Sequence, residues 1–316
     1  MGIFDKLLDN RNMHWRVRQA DRNLKRLKWE LKRAFKHKNL ETVSKFSMVV
    51  VGRNDNYGGD FSERLKATID WNYNHVPGCE LIYVEWNRIE DRPSDTEWIS
   101  KRYPNSKCFI VPNSIHMLYS TNPKIPMMEY FAKNMGIREA TNDWVFVVNA
   151  DVFLGLNTVK NMTRLNKEYV YGTHYKNIQW DGGQITEKYI NDPKYTINLF
   201  STDNKLKAVV GNFILTHKDN WMLSGGYDEA LADSRLGVDT NGLYQLLHKG
   251  VKSMVLGDHY HLDHNESRIK GINTTTHGNF NIAGFNNIPF QNPKDWGLQK
   301  FEKVQLSANV WQLKEI

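Results

Sequence analysis

A histidine-rich segment and a distant aspartate are the residues of this chain that are best suited to bind a metal ion. The segment HYHLDH carries His259, His261 and His264, and Asp151 ends the apolar run DWVFVVNAD. Imidazole with carboxylate suits Mn²⁺ better than Mg²⁺, because Mg²⁺ prefers oxygen ligands. We therefore expect a divalent metal, Mn²⁺ before Mg²⁺, at Asp151 with His261 and His264. A purely structural role for the alternating histidines stays open.

The segment after the first apolar run lacks a phosphate-binding loop. RNDNYGGDFSERL contains only Gly58 and Gly59, and it matches neither G-x-G-x-x-G nor the P-loop. Backbone N–H groups are therefore not available in the usual way to hold an anion. If the chain binds a diphosphate, a hard divalent cation on a carboxylate is the natural alternative.

Four apolar, β-branched runs must position these residues, and helix candidates separate them. The runs are SMVVVG (47–52), ELIYVEW (80–86), KCFIVP (107–112) and DWVFVVNAD (143–151), with helix candidates at about 61–75, 93–102 and 126–141. Continuous apolar runs are typical of strands buried on both faces of a parallel sheet. The order β-α-β-α-β-α-β predicts an α/β fold.

Polar side chains follow every one of these runs. They are Arg53, Asn54 and Asp55 after the first run, Glu85 and Asn87 at the second, Asn113 after the third, and Asn149 and Asp151 at the fourth. Ligands of open α/β sheets bind outside the carboxyl ends of the strands. Each residue alone has another explanation, because Asp and Asn often cap helices. Together they predict a binding site.

The second half of the chain is less regular. It shows a helix near 157–167, an apolar run at 207–218, a helix near 238–249, and from 270 an Asn-, Gly- and Thr-rich stretch that reads as loops. We expect one mixed α/β domain over 43–316, with halves 43–151 and 152–316, after an extension over 1–42.

The helix and strand AKNMGIREATNDWVFVVNADVFL resemble the motif region of GT-A glycosyltransferases, particularly the inverting family 2 and its chondroitin-polymerase and galactosyltransferase-like relatives. The resemblance covers about 47–266. It implies a GT-A, Rossmann-like fold with a mixed, mostly parallel sheet flanked by helices. It also implies a nucleotide-sugar donor, with a UDP-sugar expected, and a carbohydrate or glycoconjugate acceptor. Asn149 replaces the first Asp of the family's Asp-x-Asp motif, where it would meet the ribose, and Asp151 would hold the metal.

A second motif resembles the acceptor-binding region of the same family. GNFILTHKDNWMLSGGYDEALADSRLGVDTNGLYQLLHKG is similar to the family's segment around G-G-[FY]-D-E. The resemblance implies that the acceptor side is lined by Gly225, Gly226, Tyr227, Asp228 and Glu229. It assigns Asp239 as the general base of an inverting transfer, although Val238 stands where the family has an acid. The alternatives are an N-cap role for Asp239 and a base within Tyr227–Glu229.

The resemblance also implies residues that hold the donor. Arg53, Asp55 and Glu85 match positions that contact the base and ribose, and Asn54 and Asn87 lie at the same strand ends. Lys133 and Arg138 would steer the phosphates. Solvated helix charges explain those two residues equally well.

Positive charge is concentrated at the start of the chain. Residues 1–40 hold 12 Lys and Arg against 4 Asp and Glu, and 12–38 show the spacing of a basic amphipathic helix. Packing on the domain or a partner, self-association, and contact with an anionic membrane surface remain open. Nucleic acid is disfavoured because the rest of the chain is nearly neutral. With neither a membrane span nor a secretory signal, we expect a cytoplasmic protein, peripheral at a membrane if the helix binds one.

Two other functions stay open. A nucleotidyltransferase would use a similar sheet and carboxylate, but its glycine-rich activating loop is absent. A non-catalytic carbohydrate- or partner-binding protein on the same scaffold would also carry aromatic residues for sugar stacking.

Overall fold

The computed structural model describes residues 40–191, 196–199, 212–231, 238–264 and 292–316, with 196–199 and 238–239 described by their backbone alone. The chain divides into two compact units, 1–42 and 43–316. The described part of the first unit contains the short strand β1 (Glu41–Thr42). The helix predicted over 12–38 lies outside the described residues.

The second unit alternates strands and helices. Its strands are β2 (Phe46–Gly52), β3 (Cys79–Trp86), β4 (Lys107–Val111), β5 (Trp144–Val148), β6 (Val152–Leu154), β7 (Arg164–Leu165), β8 (Tyr169–Ile178), β9 (Thr196–Leu199), β10 (Phe213–His217), β11 (Lys252–Leu262), β12 (Glu302–Ser307) and β13 (Val310–Lys314). Its helices are α1 (Phe61–His75), α2 (Asp95–Arg102), α3 (Asn113–Tyr119), α4 (Glu129–Glu139), α5 (Leu156–Met162), α6 (Glu187–Asn191), α7 (Lys218–Ser224) and α8 (Val238–His248). Single 3₁₀ turns lie at Tyr57–Gly59 and Glu229–Leu231.

One 11-stranded sheet organises the domain, in the order β12-β13-β4-β3-β2-β5-β10-β8-β11-β6 with β9 beside β8. Strands β13, β4, β3, β2 and β5 run parallel to one another. On the other side of β5, β10 pairs antiparallel with β5 and also with β8. β11 then pairs parallel with β8. The four predicted strands, the helices between them and the mixed α/β class are confirmed.

Helices cover both faces of β2. Met48 and Val50 point into one apolar cluster with α1, and Val49 and Val51 point into the other with α4, as the two-residue repeat of a strand requires. A β-carbon at Gly136 would overlap Val49, so α4 lies directly on β2 because this position is glycine. This contact fixes the position of α4 on the face of β2.

The strand order reverses between β2 and β5. From β2 the chain adds β3 and β4 on one side and then places β5 on the other. Adjacent carboxyl ends whose connections leave in opposite directions form a crevice, which is where open α/β sheets bind ligands. The loop after β2 and the turn after β5 border this crevice.

Two expectations from the sequence are corrected. The helix near 157–167 ends at Met162, where Thr163 Oγ1 donates 2.8 Å to the Lys160 carbonyl and satisfies a terminal acceptor. The stretch from 270 is not loops throughout, because β12 and β13 form an antiparallel hairpin and β13 extends the sheet beside β4. The sequence did not indicate β13 because the strand is short and polar Gln312 interrupts its apolar residues; in the structure Trp311 stacks on Phe109 with ring centroids 5.3 Å apart.

No helix within the described residues combines the length and the apolar character needed to cross a membrane.

Candidate functional site

Asp151 lies in a tight turn between β5 and β6. The Asn149 N–H donates 3.0 Å to the Asn212 carbonyl, and the Val152 N–H donates 3.1 Å to the Asn149 carbonyl. Strand β6 then pairs with β11, which sets Val152 opposite His261. The Leu262 N–H donates 2.9 Å to the Asp151 carbonyl. The turn therefore brings the carboxylate to the end of β11.

Asp151, His261 and His264 converge at this point. Asp151 Oδ2 lies 3.1 Å from His264 Nε2 and 3.5 Å from His261 Nε2. One ligand atom from each of the three residues lies within 4.8 Å of the others. The side chains are 13%, 17% and 4% exposed for Asp151, His261 and His264, so the cluster is mostly shielded from water.

The cluster is held by opposite charge. Burial alone would raise the pKa of Asp151, but His261 and the hydrogen bonds from His261 and His264 hold that pKa well below its ordinary value. Burial works against the charged form of His261, and Asp151 outweighs it, so the pKa of His261 is raised. An ionised carboxylate beside two imidazoles is a donor set that fits a divalent ion such as Mn²⁺ or Zn²⁺.

His259 points away from this cluster. Its Nδ1 lies 2.7 Å from Thr173 Oγ1, its side chain is fully buried, and its Nε2 has no hydrogen-bond partner among the residues that the structure describes. Burial, followed by the charge of His261, lowers the pKa of His259 to about 3. Of the three histidines in HYHLDH, the structure brings two to Asp151.

The loop after β2 connects to the same cluster. Arg53 NH1 donates 2.9 Å to Asp55 Oδ2, and Asp55 Oδ1 accepts the Tyr57 N–H at 3.2 Å. The Tyr57 ring meets the His264 ring edge to face, with centroids 5.0 Å apart. Arg53 and Asp55 are therefore linked to the cluster of Asp151, His261 and His264 through Tyr57, a residue that no sequence motif pointed to.

A cleft of about 380 Å³ opens at the ends of β2, β3, β4 and β13. Its lining is Arg53, Asn87, Arg88, Glu90, Ile110, Pro112, Asn113 and Gln312. Gln312 belongs to the hairpin that the sequence did not predict, and it lies opposite Ile110 in the sheet. Arg53, which is paired with Asp55, and Arg88 bring two guanidinium groups to the cleft, and Glu90 brings a carboxylate. No motif in the sequence pointed to Gln312.

Asn54 and Glu85 are at the predicted strand ends but serve the fold. Asn54 Nδ2 donates 2.9 Å to the Ile89 carbonyl and Asn54 Oδ1 accepts the Ile89 N–H at 2.7 Å, which fixes the loop that carries Arg88 and Glu90. Glu85 is fully buried, and its two oxygens accept from the Asp95 N–H and Ser94 Oγ at 2.8 and 2.5 Å. Glu85 thus caps α2 and presents no surface to a ligand.

The two predicted phosphate-steering residues lie on α4 in different surroundings. Lys133 is fully buried, and its Nζ lies 3.1 Å from Asn149 Oδ1 and 2.5 Å from Glu129 Oε1, so the expectation of a solvated charge is wrong for this residue. The Arg138 guanidinium packs 4.9 Å above the Trp296 ring. Lys133 therefore contacts the Asn149–Asp151 turn, and Arg138 contacts the C-terminal segment.

The segment 225–229 is held by two asparagine side chains. Asn134 Oδ1 accepts the Tyr227 N–H at 2.7 Å, and Asn134 Nδ2 donates to Glu229 Oε1 at 2.9 Å. Asn292 Nδ2 donates 2.8 Å to the Gly225 carbonyl. Gly226 has φ 75°, and a β-carbon there would overlap Asn134, so glycine is required for this close approach. The predicted acceptor-side motif is thus a fixed platform on α4.

Glu229 is a carboxylate on this platform whose acidity is altered. Burial, with a further contribution from Asp295 and Asp228, raises the pKa of Glu229 to about 7, against hydrogen bonds from Asn134 and Gly297. Asp228 Oδ1 accepts the Ala230 N–H at 3.0 Å and begins the 3₁₀ turn. A buried carboxyl group that titrates near neutrality is suited to acid–base work.

Asp239 occupies the second position of α8, which begins at Val238. The backbone places Asp239 in the first turn of this helix, and its roles as general base and as N-cap stay predictions. The backbone of Asp239 is described, whereas its side chain lies outside the described part of the chain.

No protein-family model matches the chain, and a search among curated proteins finds no match. Among solved structures, the chain is similar to S. aureus TarS 1-349 in complex with UDP-GlcNAc (14% identity, 73% of this chain, 62% of that chain, TM-score 0.43). It is also similar to GalNAc-T7 with UDP, GalNAc and Mn²⁺ (12% identity, 70% and 44%, TM-score 0.47). A third is mannosyltransferase PcManGT from Pyrobaculum calidifontis in complex with GDP-Man and Mn²⁺ (14% identity, 76% and 64%, TM-score 0.44).

The chain spans less than two thirds of the length of each of these proteins. The assignment to the GT-A glycosyltransferases, and to the inverting family 2 within them, stays a prediction.

Proposed function

We propose that this protein is a metal-dependent glycosyltransferase that moves a sugar from a nucleotide-sugar donor, expected to be a UDP-sugar, to a hydroxyl group of a carbohydrate or glycoconjugate. The observation that carries the proposal is the convergence of Asp151, His261 and His264, with ligand atoms within 4.8 Å, at the strand-order reversal of the sheet. A divalent cation bound there would neutralise a diphosphate and stabilise the charge on the departing nucleotide.

The chain's own residues would hold the rest of the donor. The cleft at the ends of β3 and β4 offers Arg53 and Arg88 to an anion and the apolar Ile110 and Pro112 to a base. The glycines of the loop after β2 do not form a phosphate-binding motif, so the metal ligands supply what that loop cannot. Asn149 has an amide that suits ribose hydroxyls, and Lys133 holds it in place.

The acceptor hydroxyl requires a base opposite the departing nucleotide. We assign Asp239 to that role by its motif, with inversion of the anomeric centre. Glu229 is the second candidate, because its pKa of about 7 would let it take a proton at neutral pH. Asp228 is the third carboxylate that we place on the acceptor side.

The test is nucleotide binding measured by calorimetry with UDP in the presence of Mn²⁺ and, separately, of EDTA. Binding that requires the metal, followed by slow Mn²⁺-dependent hydrolysis of one nucleotide sugar from a panel, is the expected result. Equal affinity for UDP with Mn²⁺ and with EDTA would overturn the metal-dependent mechanism. Pyrophosphate release from a nucleoside triphosphate would identify a nucleotidyltransferase, and binding without any turnover would identify a non-catalytic protein.

For residues 1–40 we propose a role in attachment to an anionic membrane surface or in self-association, because they carry the positive excess of the chain. A protein that lacks them should keep nucleotide binding and lose retention on anionic vesicles, oligomer size, or both. Loss of nucleotide binding by a folded truncated protein would place this segment in the site instead.

A further inference from the structure

We infer that Asn177, oriented by Asp263, is a positioning residue that fixes the tautomer of His261 for metal binding. The inference rests on the proposed metal site. His261 Nδ1 lies 2.7 Å from Asn177 Oδ1, and Asn177 Nδ2 lies 2.8 Å from Asp263 Oδ1. The three side chains form a relay that ends on the side of His261 away from Asp151.

The chemistry of each group sets the direction of this relay. A carboxylate accepts hydrogen bonds and cannot donate, so Asp263 selects the NH₂ side of the Asn177 amide. The amide oxygen then faces His261 Nδ1, and that nitrogen must carry the proton. In the neutral imidazole that binds a metal, the lone pair is then on Nε2, the nitrogen that lies 3.5 Å from Asp151 Oδ2. A metal-binding histidine needs this arrangement, because only an unprotonated nitrogen can bind the ion.

The backbone holds the relay in register. Asn177 and His261 are directly opposite each other in the parallel pair β8–β11. The Asp263 N–H donates 2.9 Å to the Ile178 carbonyl, which fixes the residue after the strand. The Tyr175 hydroxyl lies 3.4 Å from Asn177 Oδ1, and its ring lies 5.5 Å from that of His261. The amide therefore has little freedom to rotate.

Metal affinity of the metal-free protein for Mn²⁺ alone, measured by calorimetry and by electron paramagnetic resonance, tests the relay. Asn177→Ala should bind Mn²⁺ roughly 10- to 100-fold more weakly, as outer-shell changes usually do. Asp263→Ala should weaken binding less, because the amide remains but is free to flip. Gln179→Ala is the control, since Gln179 is exposed and lies just beyond the same strand.

A swap of the two groups separates positioning from mere packing. In the double variant Asn177→Asp with Asp263→Asn, a carboxylate accepts from His261 Nδ1 and is itself held by an amide. This variant should recover most of the Mn²⁺ affinity that Asn177→Ala loses. Its melting temperature without metal, compared with that of Asn177→Ala and wild type, shows that each protein is folded.

The outcomes distinguish the relay from the proposed function. Wild-type Mn²⁺ affinity in folded Asn177→Ala, or no recovery in the folded swap variant, would overturn the relay. A wild-type protein that binds Mn²⁺ through these residues and yet binds no nucleotide would leave the relay intact and overturn the glycosyltransferase proposal. A wild-type protein that takes up no Mn²⁺ would overturn both.

Discussion

The ammonium group of Lys133 donates a hydrogen bond of 3.1 Å to Asn149 Oδ1 and thereby ties α4 to the turn that carries Asp151. The next residue on the helix, Asn134, holds Tyr227 and Glu229. Two neighbouring positions of one helix thus fix both motifs that were found in the sequence. Any change in the placement of α4 would move the metal ligands and the acidic platform together.

Replacement of Lys133 by methionine should destabilise the protein and weaken nucleotide binding. Methionine fills much of the space but leaves Asn149 and Glu129 without the ammonium, at a cost of about 1–3 kcal/mol in the free energy of unfolding. Lys101→Met is the matched control, because Lys101 pairs with Glu97 at the same helical spacing but is 73% exposed. Its free energy of unfolding in urea should stay close to that of wild type. Equal losses for both variants would contradict the structural role of Lys133.

Asp151→Asn should abolish Mn²⁺-dependent binding of UDP. The amide keeps the size of the side chain but removes the charge that attracts the metal and the two histidines. Calorimetry with Mn²⁺ and UDP should show no binding at concentrations that saturate wild type. Asp219→Asn, at a site 83% exposed, should bind as wild type does. Retained Mn²⁺-dependent affinity in Asp151→Asn would place the metal elsewhere.

The sequence was sufficient to predict the four parallel strands β2, β3, β4 and β5, with Asp151 following the last of them. Strands such as β2 and β5 are buried on both faces, so every one of their residues is apolar or small and the run is unbroken. The approach of His261 and His264 to Asp151 could be proposed because imidazole and carboxylate groups together suit a divalent metal ion.

The surroundings of Glu85, Lys133 and Gln312 could not be predicted because they depend on tertiary contacts. Glu85 looked like a ligand residue because it ends a strand, but the nearby Ser94–Asp95 helix start takes both of its oxygens. A solvated charge was an open alternative for Lys133 because lysine side chains are usually exposed. In the structure the side chain is buried, and Glu129 and Asn149 bind its ammonium group. Gln312 lines the cleft because β13 pairs with β4, and no local sequence pattern predicts this parallel pairing.

The stability of the protein should depend on pH through Glu229. Its pKa is raised from 4.5 to about 7, so the folded chain keeps a proton that the unfolded chain has already released between these values. The stabilisation is complete below about pH 4.5 and is lost as the pH rises through about 7. Relative to Glu229→Gln, wild type should therefore lose roughly 1–3 kcal/mol between pH 5 and 8.

Urea unfolding of wild type and Glu229→Gln at several pH values measures this difference. The glutamine oxygen can still accept from Asn134 and Gly297, so the variant keeps the hydrogen bonds and removes only the titration. Glu97→Gln controls for the pH dependence of an exposed glutamate. A constant difference between wild type and Glu229→Gln over this pH range would show that Glu229 is ionised throughout.

Gln312→Ala should weaken the binding of UDP without changing the affinity for Mn²⁺. Gln312 lines the cleft and is not among the three residues that converge at Asp151, so its loss should affect the base and leave the diphosphate contacts unchanged. We expect about a 5- to 10-fold weaker dissociation constant, the usual effect of one hydrogen bond. Gln305→Ala, on the exposed strand of the same hairpin, is the control. Unchanged UDP affinity in Gln312→Ala would mean that the nucleotide does not occupy this cleft.

The identity of the general base can be decided by comparing Asp239→Asn with Glu229→Gln. If Asp239 is the base, Asp239→Asn should lower kcat about 10²-fold or more while donor affinity changes little, because a base acts in the transition state and not in donor binding. Asparagine is tolerated in the first turn of a helix, so α8 should remain folded, which circular dichroism would check. Initial rates of UDP release, with the donor and acceptor at saturation, supply kcat.

If Asp239→Asn instead turns over at the wild-type rate and Glu229→Gln loses activity with its donor affinity intact, the base is Glu229, whose pKa of about 7 already suits proton transfer at neutral pH. Loss of activity in Asp228→Asn alone would move the role to Asp228, one residue earlier on the same platform.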